Sequence, residues 1–239
     1  MRYIYGPVKS RRLGLSLGIS IIPQKTCNFD CIYCQLGKTS AKTAECREYV
    51  KVEDILRELK EFLLINKDKL ANINYITLSG SGEPMLNIKI EELILSIKKI
   101  TSLPVAVITN SSLLVDKGLR HGLLHANLII PSLDAATQDI FEKINQPAEN
   151  LKIADIIEAL IELRREIKGK IWLEIMLVKG VNNSPSQIKK LKEAADRINP
   201  DKIQLNSPVR PPARDWVAPL EQKELEKIKE TFGEKCEII

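Results

Sequence analysis

No stretch of the 239-residue chain approaches the roughly 18 consecutive apolar residues of a membrane span, so the sequence offers no bilayer-crossing helix. It also lacks a Ser/Gly-rich linker, a low-complexity tract and a fixed short repeat, and we read residues 1–239 as one domain. The opening Met1-Arg2-Tyr3-Ile4-Tyr5-Gly6-Pro7 has neither the continuous apolar segment nor the small-residue cleavage site of a secretory signal, so a cytoplasmic location with no membrane contact is expected. Histidine is scarce. His121 and His125 stand four apart on one helix face, but residue 122 is Gly, and the metalloprotease pattern H-E-x-x-H fails at its general base. Trp172 and Trp216 read as core and loop packing, with no aromatic platform for stacking nucleic acid.

What is present is an ordinary globular composition, 44% hydrophobic and 28% charged. The net charge of +5 is modest, yet residues 1–26 carry Arg2, Lys9, Arg11, Arg12 and Lys25 with no acid at all. That segment reads either as a solvated basic strand edge or as an anion-facing surface, to which Arg210 is expected to add.

Short β-branched runs alternate with longer amphipathic ones, the pattern of repeated βα units on a parallel sheet. Six strands are expected, at Leu15–Ile22, Tyr75–Ser79, Val105–Thr109, Leu128–Leu133, Ile171–Leu177 and Lys202–Asn206. Helices are expected at Val52–Asn66, Ile90–Ile100, Val115–Leu124, Leu151–Ile167, Pro185–Ile198 and Glu221–Phe232. Ser184 before Pro185 suits an N-cap followed by proline in the first turn. Six units fall short of the eight that close a full barrel. The expected fold is therefore α/β, a partial, laterally open (βα)6 TIM-like barrel of parallel strands, with residues 1–14 and 208–239 as flanking extensions. An open doubly wound sheet is the alternative.

The five cysteines argue for chemistry. Three of them, Cys27, Cys31 and Cys34, fall within eight residues directly after the first strand, spaced C-x3-C-x2-C in a polar loop with Asn28, Asp30 and Gln35. An odd count so crowded reads as metal or redox chemistry in a reducing compartment, not a disulfide framework. Thiolates that converge there select an iron–sulfur cluster, zinc or Cu(I). Cys46 is the alternative fourth ligand of a non-catalytic zinc or iron–sulfur module, and is otherwise a spare thiol; Cys236 reads as structural or exposed.

The C-x3-C-x2-C spacing with an aromatic, Tyr33, before the last cysteine resembles the cluster loop of radical S-adenosylmethionine (SAM) enzymes. The resemblance implies that Cys27, Cys31 and Cys34 ligate three irons of a [4Fe-4S] cluster and leave the fourth iron to the amino and carboxylate groups of SAM. Ser79-Gly80-Ser81-Gly82-Glu83-Pro84 resembles the family's Gly-Gly-Glu-Pro segment, with Ser81 in place of one glycine. By the same resemblance Gly80, Ser81, Gly82 and Glu83, together with Asn110, Ser132, Asp134, Glu174 and Asn206 at later strand ends, serve the cofactor. The implied activity is reductive cleavage of SAM to a 5′-deoxyadenosyl radical that takes hydrogen from a substrate, with electrons from a flavodoxin- or ferredoxin-type donor. Segments Tyr5–Gly14 and Pro208–Pro212 resemble a subgroup related to the tRNA wyosine-synthesis enzyme. An RNA nucleoside, in tRNA or another RNA, is the favoured substrate, and a peptide or small metabolite the alternative.

Overall fold

The computed structural model describes residues 1–40, 42–148 and 150–239. Its framework is a single eight-stranded sheet whose strands lie side by side in chain order. These are β1 (Ile4–Ser10), β2 (Gly14–Ile19), β3 (Tyr75–Leu78), β4 (Val105–Thr109), β5 (Leu128–Pro131), β6 (Lys170–Met176), β7 (Lys202–Asn206) and β8 (Cys236–Ile238). β1 runs antiparallel to β2, and every later neighbour is parallel. A doubly wound sheet reverses its strand order at a switch point. Here the order never reverses, so the sheet winds one way as a barrel does, and β1 and β8 end it as two unjoined edges.

Helices fill the crossovers: α1 (Val52–Ile65), α2 (Ile90–Ile100), α3 (Lys117–His121), α4 (Gln138–Asn145), α5 (Ile153–Glu166), α6 (Pro185–Ile198) and α7 (Gln222–Phe232). The longer ones bury an apolar stripe. In α1 the buried positions Val52, Ile55, Leu59 and Phe62 recur at helical spacing. α6 starts where Ser184 Oγ accepts from the Gln187 N–H at 3.3 Å with Pro185 in the first turn, and it buries Ile188, Leu191, Ala195 and Ile198. Full burial of each such aliphatic side chain is worth roughly 1.5–3 kcal/mol. The central strands are apolar on both faces, as in β5, where all four residues are buried.

The six expected strands are β2 to β7, and the flanks add two more. Residues 1–14 contain β1, whose side chains are mostly exposed and so give no apolar alternation. Residues 208–239 contain α7 and the three-residue β8. The helix expected over Val115–Leu124 shrinks to Lys117–His121 behind a 3₁₀ turn at Ser112–Val115. Gly118 and Gly122 weaken that segment, while Asp116 accepts from the Leu119 N–H at 2.9 Å and sets its start. α4 was not expected: it is eight residues long and mostly polar, too short for its period to stand out. No helix among the described residues is long and apolar enough to cross a membrane.

Candidate functional site

At the C-terminal ends of the parallel strands lies a cavity of about 480 Å³, within the roughly 300–1,000 Å³ of small-molecule sites. Cys27, Tyr33, Cys31 and Cys34 from the loop after β2 line it, as do Gly80, Ser81, Gly82 and Glu83 from the segment after β3. Asn110, Ser132 and Asn206, at the ends of β4, β5 and β7, complete this set. Distant residues of the chain thus meet at the mouth, as expected from their strand-end positions.

The cysteine loop is fixed mainly by α4. Its Asp30 and Ile32 N–H groups donate to the Asn145 and Ile144 carbonyls at 3.1 and 3.0 Å, and Phe29 packs edge-on against Phe141 with centroids 5.4 Å apart. Asn145 Nδ2 donates to Cys31 Sγ at 3.5 Å and to Asp134 at 2.7 Å. From the far flank, Arg214 Nη2 donates to Asp30 Oδ2 at 2.6 Å. Asn28, fully buried, donates to Ser112 Oγ at 2.7 Å and accepts from Asn110 Nδ2 at 2.8 Å, joining the loop to the end of β4.

The three thiols form an all-sulfur donor set, which suits a thiophilic metal. Burial pushes the Cys27 thiol up to about 12, with the Glu83 charge adding to it, and burial likewise raises Cys31 well above the ordinary thiol. Such groups stay protonated at neutral pH until a metal displaces the proton. Cys46 is elsewhere: its thiol donates to the Ala44 carbonyl at 3.6 Å and does not line the cavity. Cys236 is buried within β8. Among the described residues no group of three or more His, Cys, Asp or Glu side chains is arranged to hold a single metal ion.

Glu83 sits buried beside the loop. Its carboxylate accepts from Thr109 Oγ1 at 2.7 Å, the Asn110 N–H at 2.7 Å and the Met85 N–H at 3.1 Å. Burial nonetheless outweighs these donors and raises its pKa to about 7. Three donors leave one lone-pair site of the carboxylate unfilled. The approach to Glu83 is tight: a Cβ on Gly82 would lie 1.8 Å from the Thr26 carbonyl oxygen, and the Glu83 N–H donates to that oxygen at 3.0 Å. Lys25, in the left-handed region at φ 62°, donates its N–H to the Ser81 carbonyl at 2.6 Å. Ser81 Oγ accepts from Ser20 Oγ at 2.9 Å.

Two expected cofactor residues stand behind the wall instead of on it. Asp134 is buried and does not line the cavity; its carboxylate accepts from Tyr33 Oη, Asn145 Nδ2 and the Met176 N–H. It therefore orients the aromatic of the cysteine loop. Glu174 is likewise buried off the cavity, held by Arg12 and by Asn206 Nδ2 at 2.9 Å. The same pairing corrects the expected anion surface, since Arg12 is spent on Glu174. Arg2 is also absent from the cavity, its guanidinium lying 5.4 Å from the Tyr3 ring centroid. His121 and His125 both face Glu91, at 3.8 and 3.3 Å, away from the site. Trp172 packs edge-on against Tyr75, as a core residue does, while Trp216, in the segment between β7 and α7, is 59% exposed.

Asn28, Asn145 and Arg214 support the site without having been singled out as its parts, and Arg12, expected on the anion surface, holds Glu174 instead. Asn28 alone carried a signal, as a polar residue inside the cysteine motif.

A one-way parallel barrel with a three-thiol loop at its mouth defines a cofactor-binding partial barrel. A family model described as "Radical SAM superfamily" matches residues 21–191, and the chain belongs to that superfamily, whose members use SAM and an iron–sulfur cluster. A UPF0026 protein of Methanocaldococcus jannaschii is 36% identical over 98% of this chain and 72% of its own length. A Brachyspira hyodysenteriae protein named GTPase Obg is 44% identical over 98% of this chain, which spans only 34% of that relative. The dual-specificity RNA methyltransferase RlmN of Prochlorococcus marinus is 31% identical over 67% of this chain and 46% of its own length. Among solved structures, a radical SAM methyltransferase from Sphaerobacter thermophilus shares the fold at TM-score 0.70 and 15% identity, covering 94% of this chain and 65% of that one. Archaeal TYW1 shares it at TM-score 0.60 and 18% identity, covering 92% and 72%.

Proposed function

We propose that this chain is a radical SAM enzyme in which Cys27, Cys31 and Cys34 hold a [4Fe-4S] cluster and the remaining cavity takes SAM and the substrate. The observation that carries this reading is the opening of all three thiols onto one cavity with Glu83, Asn110, Ser132 and Asn206. When bound and reduced, the cluster supplies the electron that splits SAM into methionine and a 5′-deoxyadenosyl radical.

The residues of the chain bind and orient. Glu83, once deprotonated, accepts from the SAM amino group through its unfilled site, and Gly82 lets the backbone come close enough. Ser81 and Gly80 offer backbone atoms to the same end of the ligand. Asn110, Ser132 and Asn206 face its polar edges. Asp134 and Glu174 act through others, Asp134 on Tyr33 and Glu174 on Arg12 and Asn206. A flavodoxin- or ferredoxin-type protein is the electron donor. An RNA nucleoside is the favoured substrate class, supported by the RNA methyltransferase relative and by the likeness of the flanks to the wyosine-related subgroup.

Anaerobic reconstitution with iron and sulfide tests the reading. A brown chromophore together with dithionite-dependent release of methionine and 5′-deoxyadenosine is expected. A protein that takes up metal but leaves SAM intact under reduction overturns it.

A further inference from the structure

Beyond the cofactor residues, the outer rim of the cavity carries cations of the expected anion-facing surface that the proposed cofactor site does not use. Lys9 and Arg11 reach it from the end of β1 and the turn that follows, and Arg210 from the segment after β7. All three are exposed. The other arginines near the site are neutralised, Arg12 by Glu174 and Arg214 by Asp30. Arg11 Nη1 instead donates to the main-chain oxygen of Ile239 at 3.1 Å, and Arg210 to the neutral amide oxygen Oε1 of Gln35, so neither is paired with an acidic side chain. Burial, with Arg12 and Arg210 adding repulsion, lowers the Arg11 pKa, while Glu174, the acid acting on it, is already clasped by Arg12.

The same rim is apolar between the cations. Tyr5, Val8 and Val209 are 38%, 43% and 64% exposed, and all three line the cavity. Tyr5 lies flat over a glycine: a Cβ on Gly18 would fall 2.0 Å from its ring, and its hydroxyl is tied to Ser79 Oγ at 2.9 Å. The ring is thus a fixed wall with one face against backbone.

We infer that Lys9, Arg11 and Arg210 bind the phosphate of the substrate, and that Tyr5 and the two valines receive a flat organic part attached to it. The occupant is a phosphate ester with a planar body, a nucleotide either free or within a polynucleotide. Guanidinium forks match phosphate oxygens in pairs, and an aromatic face stacks any base. The inference rests on the cavity being the reactant site proposed above.

Binding to the reconstituted enzyme is measured for inorganic pyrophosphate, guanosine 5′-monophosphate and a short single-stranded RNA, with SAM binding followed on the same sample. Guanosine monophosphate is expected to bind more tightly than pyrophosphate, and Tyr5→Ala to abolish that preference. Arg11→Gln with Arg210→Gln should weaken the nucleotide and RNA by about tenfold or more, whereas Arg57→Gln, on the exposed face of α1, should not. RNA binding far above the monophosphate, with a salt slope that falls by about 0.7 per lost phosphate contact, identifies a polynucleotide. Equal affinities identify a free nucleotide. No salt-dependent binding of any probe, or a double variant that binds as the parent does, overturns the inference. SAM binding retained in that case leaves the proposed function standing; its loss with phosphate binding intact fails only the latter.

Discussion

Arg12 and Glu174, 162 residues apart, meet fork to fork: Arg12 Nε donates to Glu174 Oε2 at 2.7 Å and Nη2 to Oε1. Asn206 adds a third donor at 2.9 Å. The pair ties the β1–β2 turn to β6 and β7, which the sheet order places at the opposite side of the open barrel. A side-chain clasp thus links the two sides of the open barrel where no strand ladder closes it.

Removing one partner of a buried pair leaves the other uncompensated and costs roughly 3–5 kcal/mol. The Arg12 side chain is 24% exposed against 5% for Glu174, and partial solvation puts the expected loss for Arg12→Met near the lower bound, about 3 kcal/mol. Glu174→Gln in the same background should recover part of it, because the orphan is then neutral. Urea unfolding reads both. A single variant as stable as the parent contradicts the clasp.

Cys27→Ala, Cys31→Ala or Cys34→Ala should each remove the brown chromophore and all SAM cleavage. Cys46→Ala should keep both, since its thiol bonds to the Ala44 carbonyl outside the cavity. Iron content and absorbance after reconstitution decide the matter. Loss of the chromophore in the Cys46 variant, with the others merely weakened, would make it a ligand.

The barrel was legible because its strands are short apolar runs, buried on both faces and separated by amphipathic helices of clear period. Positions Val105–Thr109 and Lys202–Asn206 carry over unchanged into β4 and β7. What escaped was held by tertiary contact. β1 is an edge strand whose side chains are mostly exposed, so its sequence shows no apolar alternation. α4 gains its stability from Phe141 and Ile144 beneath the cysteine loop, not from its own eight residues. Within the site, spacing revealed the thiols and strand ends revealed the polar residues. Spacing is silent on which acids are pre-empted: only the fold shows Tyr33 on Asp134 and Arg12 on Glu174.

Glu83 gives a pH signature. Its pKa is about 7 in the folded protein against an ordinary 4.5. The folded state therefore holds this proton more tightly than the unfolded chain, so the stabilising effect is complete below about pH 4.5 and is lost as pH rises through about 7. The span corresponds to an order of 3 kcal/mol. Glu83→Gln removes this titration, so its stability relative to the parent should rise between pH 5 and 8, whatever the absolute cost of the amide. Asp134, raised by burial to about 6, stays in both proteins and cancels. Parallel stability curves for the two proteins across that range would exclude Glu83 as the titrating group.

Gly82 is the tightest point between the cysteine loop and the segment after β3. A Cβ there would lie 1.8 Å from the Thr26 oxygen and 2.7 Å from its carbonyl carbon, both backbone atoms next to Cys27. No rotamer change relieves a backbone collision, so Gly82→Ala must push the two segments apart. The hydrogen bond from the Glu83 N–H to Thr26, 3.0 Å long, is the first casualty. Overpacking of this kind costs about 1–3 kcal/mol, occasionally more, and here it also displaces a thiol from its neighbours. Reconstituted Gly82→Ala is expected to hold less iron than the parent and to bind SAM at least about tenfold more weakly, an effect equal to one charge-assisted hydrogen bond. Gly180→Asn is the control: Gly180 has φ 73° with nothing within 4 Å of a Cβ, and asparagine tolerates that conformation. Its iron content and SAM affinity should match the parent. If Gly82→Ala also matched the parent on both counts, the close approach of backbone to backbone would have no part in holding the site.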